Sequence, residues 1–258
     1  MDTLHNPFKQ ALKSGRLQIG LWHSLSSHLA VEILADAGFD WILLDTEHAP
    51  NELPMVYHQL QAVDSGAAHP IVRPAWNDPV IIKRILDAGA QTLLVPMIQS
   101  ADEARRLVAS TRYPPRGIRG FASAARASGF GRIAKYHERC EAELCVLVQI
   151  ETRHAVDRIE EIAAVEGVDG IFIGPGDLSA DLGYLGQPGH PDVLAIVDRA
   201  VMRIKACDKP AGILVGADLA RRYIDLGCLF VAVGSDIGLL KSGAQHVVES
   251  FGSLRRPA

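Results

Sequence analysis

Gly170-Ile171-Phe172-Ile173-Gly174-Pro175-Gly176-Asp177-Leu178-Ser179 is the stretch on which the fold turns. Three consecutive apolar side chains stop at Gly-Pro-Gly and are followed at once by an acid. A short apolar run closed by turn residues reads as a buried strand whose carboxyl end carries Asp177 into a pocket. Upstream, Cys145-Val146-Leu147-Val148-Gln149-Ile150-Glu151 repeats the design, an apolar run ending in an acid. Two adjacent strands of this kind aim two carboxylates at one point, and such a pair suits a divalent metal. The same positions also allow Asp177 to cap the next helix and Glu151 to start one, so these residues alone leave both readings open.

Outward from this pair the pattern recurs. Apolar bursts occur at 19–22, 41–44, 70–72, 92–95, 146–148, 171–173, 212–215 and 229–233, with helical stretches between them. Continuous apolar strands alternating with helices indicate a parallel sheet covered on both faces, and eight repeats close a (β/α)8 TIM barrel. Helices are expected at 8–14, 28–37, 51–64, 79–88 and 101–110, with Asn51 and Asp78 as N-caps and glycines as stops. The aperiodic stretch 113–132, rich in Gly, Ala, Ser and Arg, is longer than an ordinary connection and is expected to be a functional lid. The last segment, 239–251, is amphipathic and packs either on its own chain or on a neighbour.

The chain has 258 residues and is 48% hydrophobic, enough for one large core, so residues 1–258 are read as one barrel domain. A net charge of -4 gives no broad attraction to nucleic acid or anionic lipid, which points to small-molecule partners. No apolar run approaches the roughly 20 residues of a membrane span, and residues 1–7 are polar. Cys140, Cys145, Cys207 and Cys228 show no Cys-x-x-Cys spacing, and a reduced, cytoplasmic compartment is expected.

In a barrel, the residues just past each burst gather at one rim. They are Asp45, Glu47 and His48 after the second burst, Arg73 after the third, Gln149 and Glu151 after the fifth, and Asp177 after the sixth. Glu151 and Asp177 are hard oxygen ligands, favouring magnesium or manganese with water in the remaining positions. Gln149 reads either as a group orienting a ligand or as a satisfied buried amide. Arg73, at the end of an apolar strand, needs an anionic partner, which a substrate carboxylate, an enolate, Asp45 or Glu47 would each supply. His48 is the best placed of ten histidines for proton transfer, and Asp87 could fix its tautomer. No lysine falls at a strand end, which disfavours Schiff-base chemistry.

The motifs Trp41-Ile42-Leu43-Leu44-Asp45-Thr46-Glu47-His48-Ala49-Pro50, Val72-Arg73-Pro74, Leu93-Leu94-Val95-Pro96-Met97, Tyr113-Pro114-Pro115, Val148-Gln149-Ile150-Glu151-Thr152 and Ile173-Gly174-Pro175-Gly176-Asp177-Leu178-Ser179 together resemble the HpcH/HpaI aldolase family. The likeness runs colinearly over about 8–251. It implies a class II aldolase that uses magnesium, manganese or cobalt and reversibly cleaves 4-hydroxy-2-oxo acids to an aldehyde and pyruvate or hydroxypyruvate. It also implies a hexamer, a trimer of dimers, with the C-terminal helix exchanged between subunits.

By that resemblance Glu151 and Asp177 are the metal ligands, and Gln149, Asp45 and Glu47 lie around the metal. Arg73 stabilises the oxyanion, His48 with Asp87 moves the proton, and the backbone from Gly174 through Pro175 and Gly176 to Asp177 cradles the donor carboxylate. Trp22 and Leu214 complete the expected substrate contacts. The family pattern leads one to expect alanine at Gly176, glycine at Thr46, and bulkier or less polar residues at His23 and Ser24. A thioester-dependent citramalyl- or malyl-type lyase and a catalytically silent barrel that binds a 2-oxo acid are the competing readings.

Overall fold

The computed structural model describes residues 4–252. Eight parallel strands close in chain order into a barrel. They are β1 (Gln18–His23), β2 (Trp41–Asp45), β3 (His69–Arg73), β4 (Thr92–Val95), β5 (Cys145–Ile150), β6 (Gly170–Ile173), β7 (Ala211–Leu214) and β8 (Phe230–Ser235). Each apolar burst read from the sequence corresponds to one of them.

The helices are α1 (Pro7–Lys13), α2 (His28–Ala35), α3 (Leu53–Val63), α4 (Pro79–Asp87), α5 (Ala101–Thr111) and α6 (Tyr136–Glu143), followed by α7 (Arg153–Val156) and α8 (Ile159–Ala163). After β6 come α9 (Pro175–Asp181), α10 (Pro191–Ala206), α11 (Ala217–Leu226) and α12 (Asp236–Ser250). Asp78 caps α4 as expected, its carboxylate accepting from Val80 N and Ile81 N. The expected cap at Asn51 is not formed. Glu52 occupies that position without a side-chain cap, and Asn51 lies one residue outside it, its Nδ2 donating to Gln59 Oε1 and its Oδ1 without a partner among the described residues.

Strand side chains alternate between two cores. Ile42, Leu44, Val72, Val146 and Val148 face the helices. Trp41, Leu43, Ile71, Leu94, Leu147, Phe172 and Phe230 fill the barrel. The same alternation that puts Trp41 and Leu43 inside places Asp45 inside at the carboxyl end of β2. Its partner across the ladder is Arg73. Helix α1 closes the opposite mouth. Phe8 stacks on His69 at 5.8 Å and meets Trp41 and Phe230 edge-on at 6.2 and 6.0 Å. Chemistry is therefore confined to the carboxyl rim.

The stretch 113–132 holds only one short 3-10 turn, Arg126–Ser128. It is not a lid over its own barrel. Arg126 bonds Asp64 Oδ2, Leu60 O and Ala88 O at 2.8, 3.4 and 3.1 Å. These groups lie at the carboxyl ends of α3 and α4, and helices that run antiparallel to the strands end on the side away from the rim. At the other end of the chain, α12 buries only Asp236. Its Leu239, Leu240 and Val247 are exposed, and with Leu25 and Ile33 they line a groove of about 600 Å³.

Candidate active site

Arg73 organises the rim. Its Nε and Nη2 donate to Asp45 Oδ1 and Oδ2 at 2.8 and 2.7 Å, and its Nη1 lies 2.8 Å from Glu47 Oε2. Beneath it lies the Trp22 ring, 4.8 Å from the guanidinium carbon, and the Trp22 indole N–H donates to Asp45 at 3.3 Å. A guanidinium held on both edges and one face cannot rotate away, and its remaining Nη donors stay available at the mouth. Of the partners the sequence left open for Arg73, Asp45 and Glu47 are both used. Burial acts to raise the Asp45 carboxyl, and the Arg73 bonds and charge with the Glu47 N–H outweigh it, holding it below the usual carboxylate range.

Glu151 is 1% exposed and is aimed by two donors. Met97 N donates to its Oε1 at 2.8 Å and Gln149 Nε2 to its Oε2 at 2.7 Å. Met97 takes a left-handed backbone at φ 53, which turns its N–H toward this carboxylate. Nothing in the sequence around Pro96-Met97 marks that turn. Gln149 Oε1 is buried with no partner among the described residues. A Cβ on Gly174 would fall 2.5 Å from Glu151 Oε2, so glycine is needed there for the carboxylate to lie where it does. Glu151 does not begin a helix; Thr152 caps α7 through Ala155 N.

Asp177 is the third residue of α9, whose N-cap is Gly174, so it is not the cap that the sequence allowed. Its charge acts on both Glu47 and Glu151. Gly174 N already donates to Ile150 O at 3.0 Å and Pro175 has no N–H. The expected backbone cradle is therefore reduced to the Gly176 and Asp177 N–H groups of the first helical turn. Next to Gly176 a Cβ would meet no atom within 4 Å. Pro175 and Leu214 line a recess of about 300 Å³ that also includes Gly216, Tyr223 and Gly234.

Asp45 and Glu47 thus hold the Arg73 guanidinium, and Glu47, Glu151 and Asp177 lie close enough for their charges to act on one another. Burial pushes the Glu151 carboxyl up to about 7, against the lowering bonds from Gln149 and Met97 and with help from the Glu47 and Asp177 charges. Burial also pushes Glu47 up to about 7, with Arg73 lowering it and Asp45 and Asp177 raising it. Asp45 and Glu151 are buried, Glu47 is half-buried and Asp177 is exposed. A buried carboxylate without a cationic partner, a second carboxylate beside it and an unpaired amide oxygen are the chemistry of a hard divalent cation site. No group of three or more His, Cys, Asp or Glu side chains with metal-holding geometry occurs among the described residues. A cation here would be held by two carboxylates, leaving positions for water and substrate.

His48 lies at the mouth, 64% exposed, with Nε2 4.0 Å from Glu47 Oε2. The expected pairing of His48 with Asp87 is not formed within the chain. Asp87 is the last residue of α4, at the end remote from the rim, and accepts from Arg119 Nη2 at 2.9 Å.

A closed parallel barrel with its charged groups collected at the carboxyl rim defines the chain as a (β/α)8 enzyme. Residues 18–242 match the HpcH/HpaI aldolase/citrate lyase family, and the chain belongs to it. A 4-hydroxy-2-oxo-heptane-1,7-dioate aldolase of Escherichia coli is 56% identical over 252 residues, covering 97% of this chain and 96% of that protein. One from Salmonella dublin is 55% identical with the same coverage. The crystal structure of an HpcH/HpaI aldolase/citrate lyase family protein from Burkholderia cenocepacia J2315 superposes with a TM-score of 0.92 at 39% identity, over 95% of this chain and 98% of that one. The protein is an aldolase, a carbon-carbon lyase. Among the described residues no helix is long and apolar enough to cross a membrane.

Proposed function

We propose that the protein is a class II aldolase that cleaves 4-hydroxy-2-oxo acids, with 4-hydroxy-2-oxoheptanedioate, the substrate in its relatives' name, as the first candidate. The observation that carries this reading is the acid-rich rim around Arg73, with Glu151 fixed by Gln149 and Met97. Glu151 and Asp177 would hold magnesium, manganese or cobalt. When bound, such a cation supplies Lewis-acid polarisation of the donor's keto and carboxylate oxygens.

The chain's own residues do the rest. In cleavage the 4-hydroxyl loses its proton, the C3–C4 bond breaks to release the aldehyde, and the electron pair moves onto the C2 oxygen. Arg73, locked by Asp45 and Glu47, presents its charge where that oxygen becomes negative. His48 carries the proton, from the pyruvate methyl group in addition and to it in cleavage. Any orienting of His48 by Asp87 comes from another copy of the chain, because Asp87 sits at the far end of its own barrel. Gly176 leaves space beside the donor for a substituted methyl, which supports hydroxypyruvate as a second donor.

A hexamer is the proposed assembly, supported by the uncovered apolar face of α12. The cytoplasm is the proposed compartment, supported by four free cysteines of which three are buried. The test is cleavage of synthetic 4-hydroxy-2-oxoheptanedioate by the manganese-loaded protein, with released pyruvate followed by lactate dehydrogenase. Pyruvate in step with substrate loss is expected; substrate left intact by the loaded protein would overturn the assignment.

A further inference from the structure

Behind the rim, on the helix side of β1, four buried polar side chains form one line. His23 Nδ1 lies 2.6 Å from Asp236 Oδ2, Gln59 Nε2 lies 3.1 Å from His23 Nε2, and Asn51 Nδ2 donates to Gln59 Oε1 at 3.0 Å. His23 and Gln59 are 0% exposed, and Asn51 and Asp236 4%. Asn51 Oδ1 has no partner among the described residues and His23 Nδ1 is matched only by its close approach to Asp236. The other polar atoms of the line are paired, as buried amides and imidazoles require.

Backbone groups settle which way the protons point. Ser27 N donates to His23 Nε2 at 3.3 Å, so that nitrogen accepts and the ring proton is on Nδ1, facing Asp236. The Gln59 atom facing Nε2 must then be its amide nitrogen. Its oxygen is left to receive Asn51 Nδ2. Every donor in the line points toward Asp236, which also accepts from Ser24 N and Leu25 N at 3.0 Å each. Burial acts to raise the Asp236 carboxyl, and the bonds from His23, Ser24 and Leu25 hold it below the usual range.

At the other end of the line is the loop that carries His48. The His48 ring is largely exposed, so its place depends on how the backbone of 46–51 is tied. One set of ties is upstream, where Arg73 O accepts from Thr46 N and Oγ1 at 3.0 and 2.7 Å and Asp45 Oδ1 accepts from Glu47 N and His48 N at 3.0 and 3.4 Å. The other is downstream. Asn51 N donates to Ala49 O at 2.7 Å, and the Asn51 side chain is fastened to α3 by Gln59.

We infer that His23 is a positioning residue for proton transfer, which through Gln59 and Asn51 fixes the downstream end of the His48 loop. This rests on His48 being the group that moves the proton. His23 touches no reacting atom; it sets the orientation of the Gln59 amide, and the amide sets Asn51. Without an acceptor at Nε2, Gln59 loses its fixed orientation, and Asn51, whose Oδ1 has no partner among the described residues to hold it, turns with it, so the downstream tie of the loop is made in two alternative ways instead of one. A base that drifts by about 1 Å loses on the order of a hundredfold in rate, while donor binding at Glu151, Asp177 and Arg73 is untouched.

The experiment is exchange of pyruvate methyl protons into deuterated buffer by the full-length, manganese-loaded protein. His23→Leu and Gln59→Met should each lower the exchange kcat about tenfold or more while pyruvate KM stays within about twofold. The double variant should be no worse than either single one, since both break the same line. His23→Gln, which offers one donor and one acceptor, should recover most of the rate. Should His23→Leu not fold, Gln59→Met, close to isosteric, decides alone. Wild-type exchange in both variants while His48→Ala abolishes it would overturn the relay and leave the base standing. Wild-type exchange in His48→Ala would remove the base and the relay together. A fall in kcat matched by an equal rise in KM and not rescued by His23→Gln would mean His23 is merely structural.

Discussion

Adding one methyl group at Gly174 or at Gly176 should give opposite results two residues apart. In Gly174→Ala the new Cβ falls 2.5 Å from Glu151 Oε2 and 2.9 Å from Glu151 Cβ. The first contact is roughly 1 Å inside an ordinary nonbonded distance. Glu151 is held on both oxygens and is buried, so relief comes only by stretching its bond to Gln149 or Met97. Overpacking of this kind costs about 1–3 kcal/mol. Spent on a metal ligand, that is roughly a 5- to 150-fold loss of metal affinity, the range expected when a ligand's support is disturbed. At Gly176 the Cβ meets nothing, so Gly176→Ala should melt and bind metal like the parent and should shift donor preference from hydroxypyruvate toward pyruvate. Manganese binding is read by electron paramagnetic resonance and donor preference by initial rates. Parental manganese affinity in Gly174→Ala would refute the placement of Glu151 as a ligand.

Removing the Arg73 guanidinium leaves Asp45 buried without its counter-ion, so Arg73→Ala should cost about 3–5 kcal/mol of stability as well as aldol activity; Arg73→Lys, lacking the fork, should recover stability better than turnover, as urea melts and cleavage rates will show. Burial lowers His69 to about 4, whereas the unfolded chain takes up that proton near the ordinary value of 6.5. Stability is therefore lost as pH falls from about 6.5 to about 4, by at most about 3 kcal/mol, and His69→Gln should flatten that part of the pH–stability curve. Charge placed on the apolar face of α12, as in Leu240→Glu with Val247→Glu, should lower the mass measured by light scattering; an unchanged mass would remove α12 from the assembly interface.

The barrel was legible because its evidence is repetitive. Eight runs of β-favouring apolar residues recur, and a strand buried on both faces has no other composition. Asp45, Arg73, Gln149 and Glu151 were legible for a related reason: with a period of two, residues of odd number in β2, β3 and β5 point into the barrel and gather at its carboxyl rim. Contacts that depend on distance between elements were not legible. Asp87 reads as a partner for His48 until the direction of α4 carries it to the opposite end of the barrel. The stretch 113–132 reads as a lid until Arg126 fastens it to the remote ends of α3 and α4. Asn51 has the composition of a helix cap, but α3 begins one residue later, with Glu52 at the N-cap, and the Asn51 amide nitrogen turns to the buried Gln59 instead. The turn at Met97 and the closeness of Gly174 to Glu151 leave no pattern in composition, because each depends on a single backbone angle or a single contact.

Exchange of the pyruvate methyl protons tests the metal-assisted mechanism most directly. It isolates the proton step from aldehyde binding and from carbon-carbon cleavage. After exhaustive treatment with EDTA the protein should show no exchange above buffer, and added manganese should restore it in proportion to sites filled. Exchange that persists at the parental rate with the metal removed would contradict the assignment of Glu151 and Asp177 and the mechanism built on them.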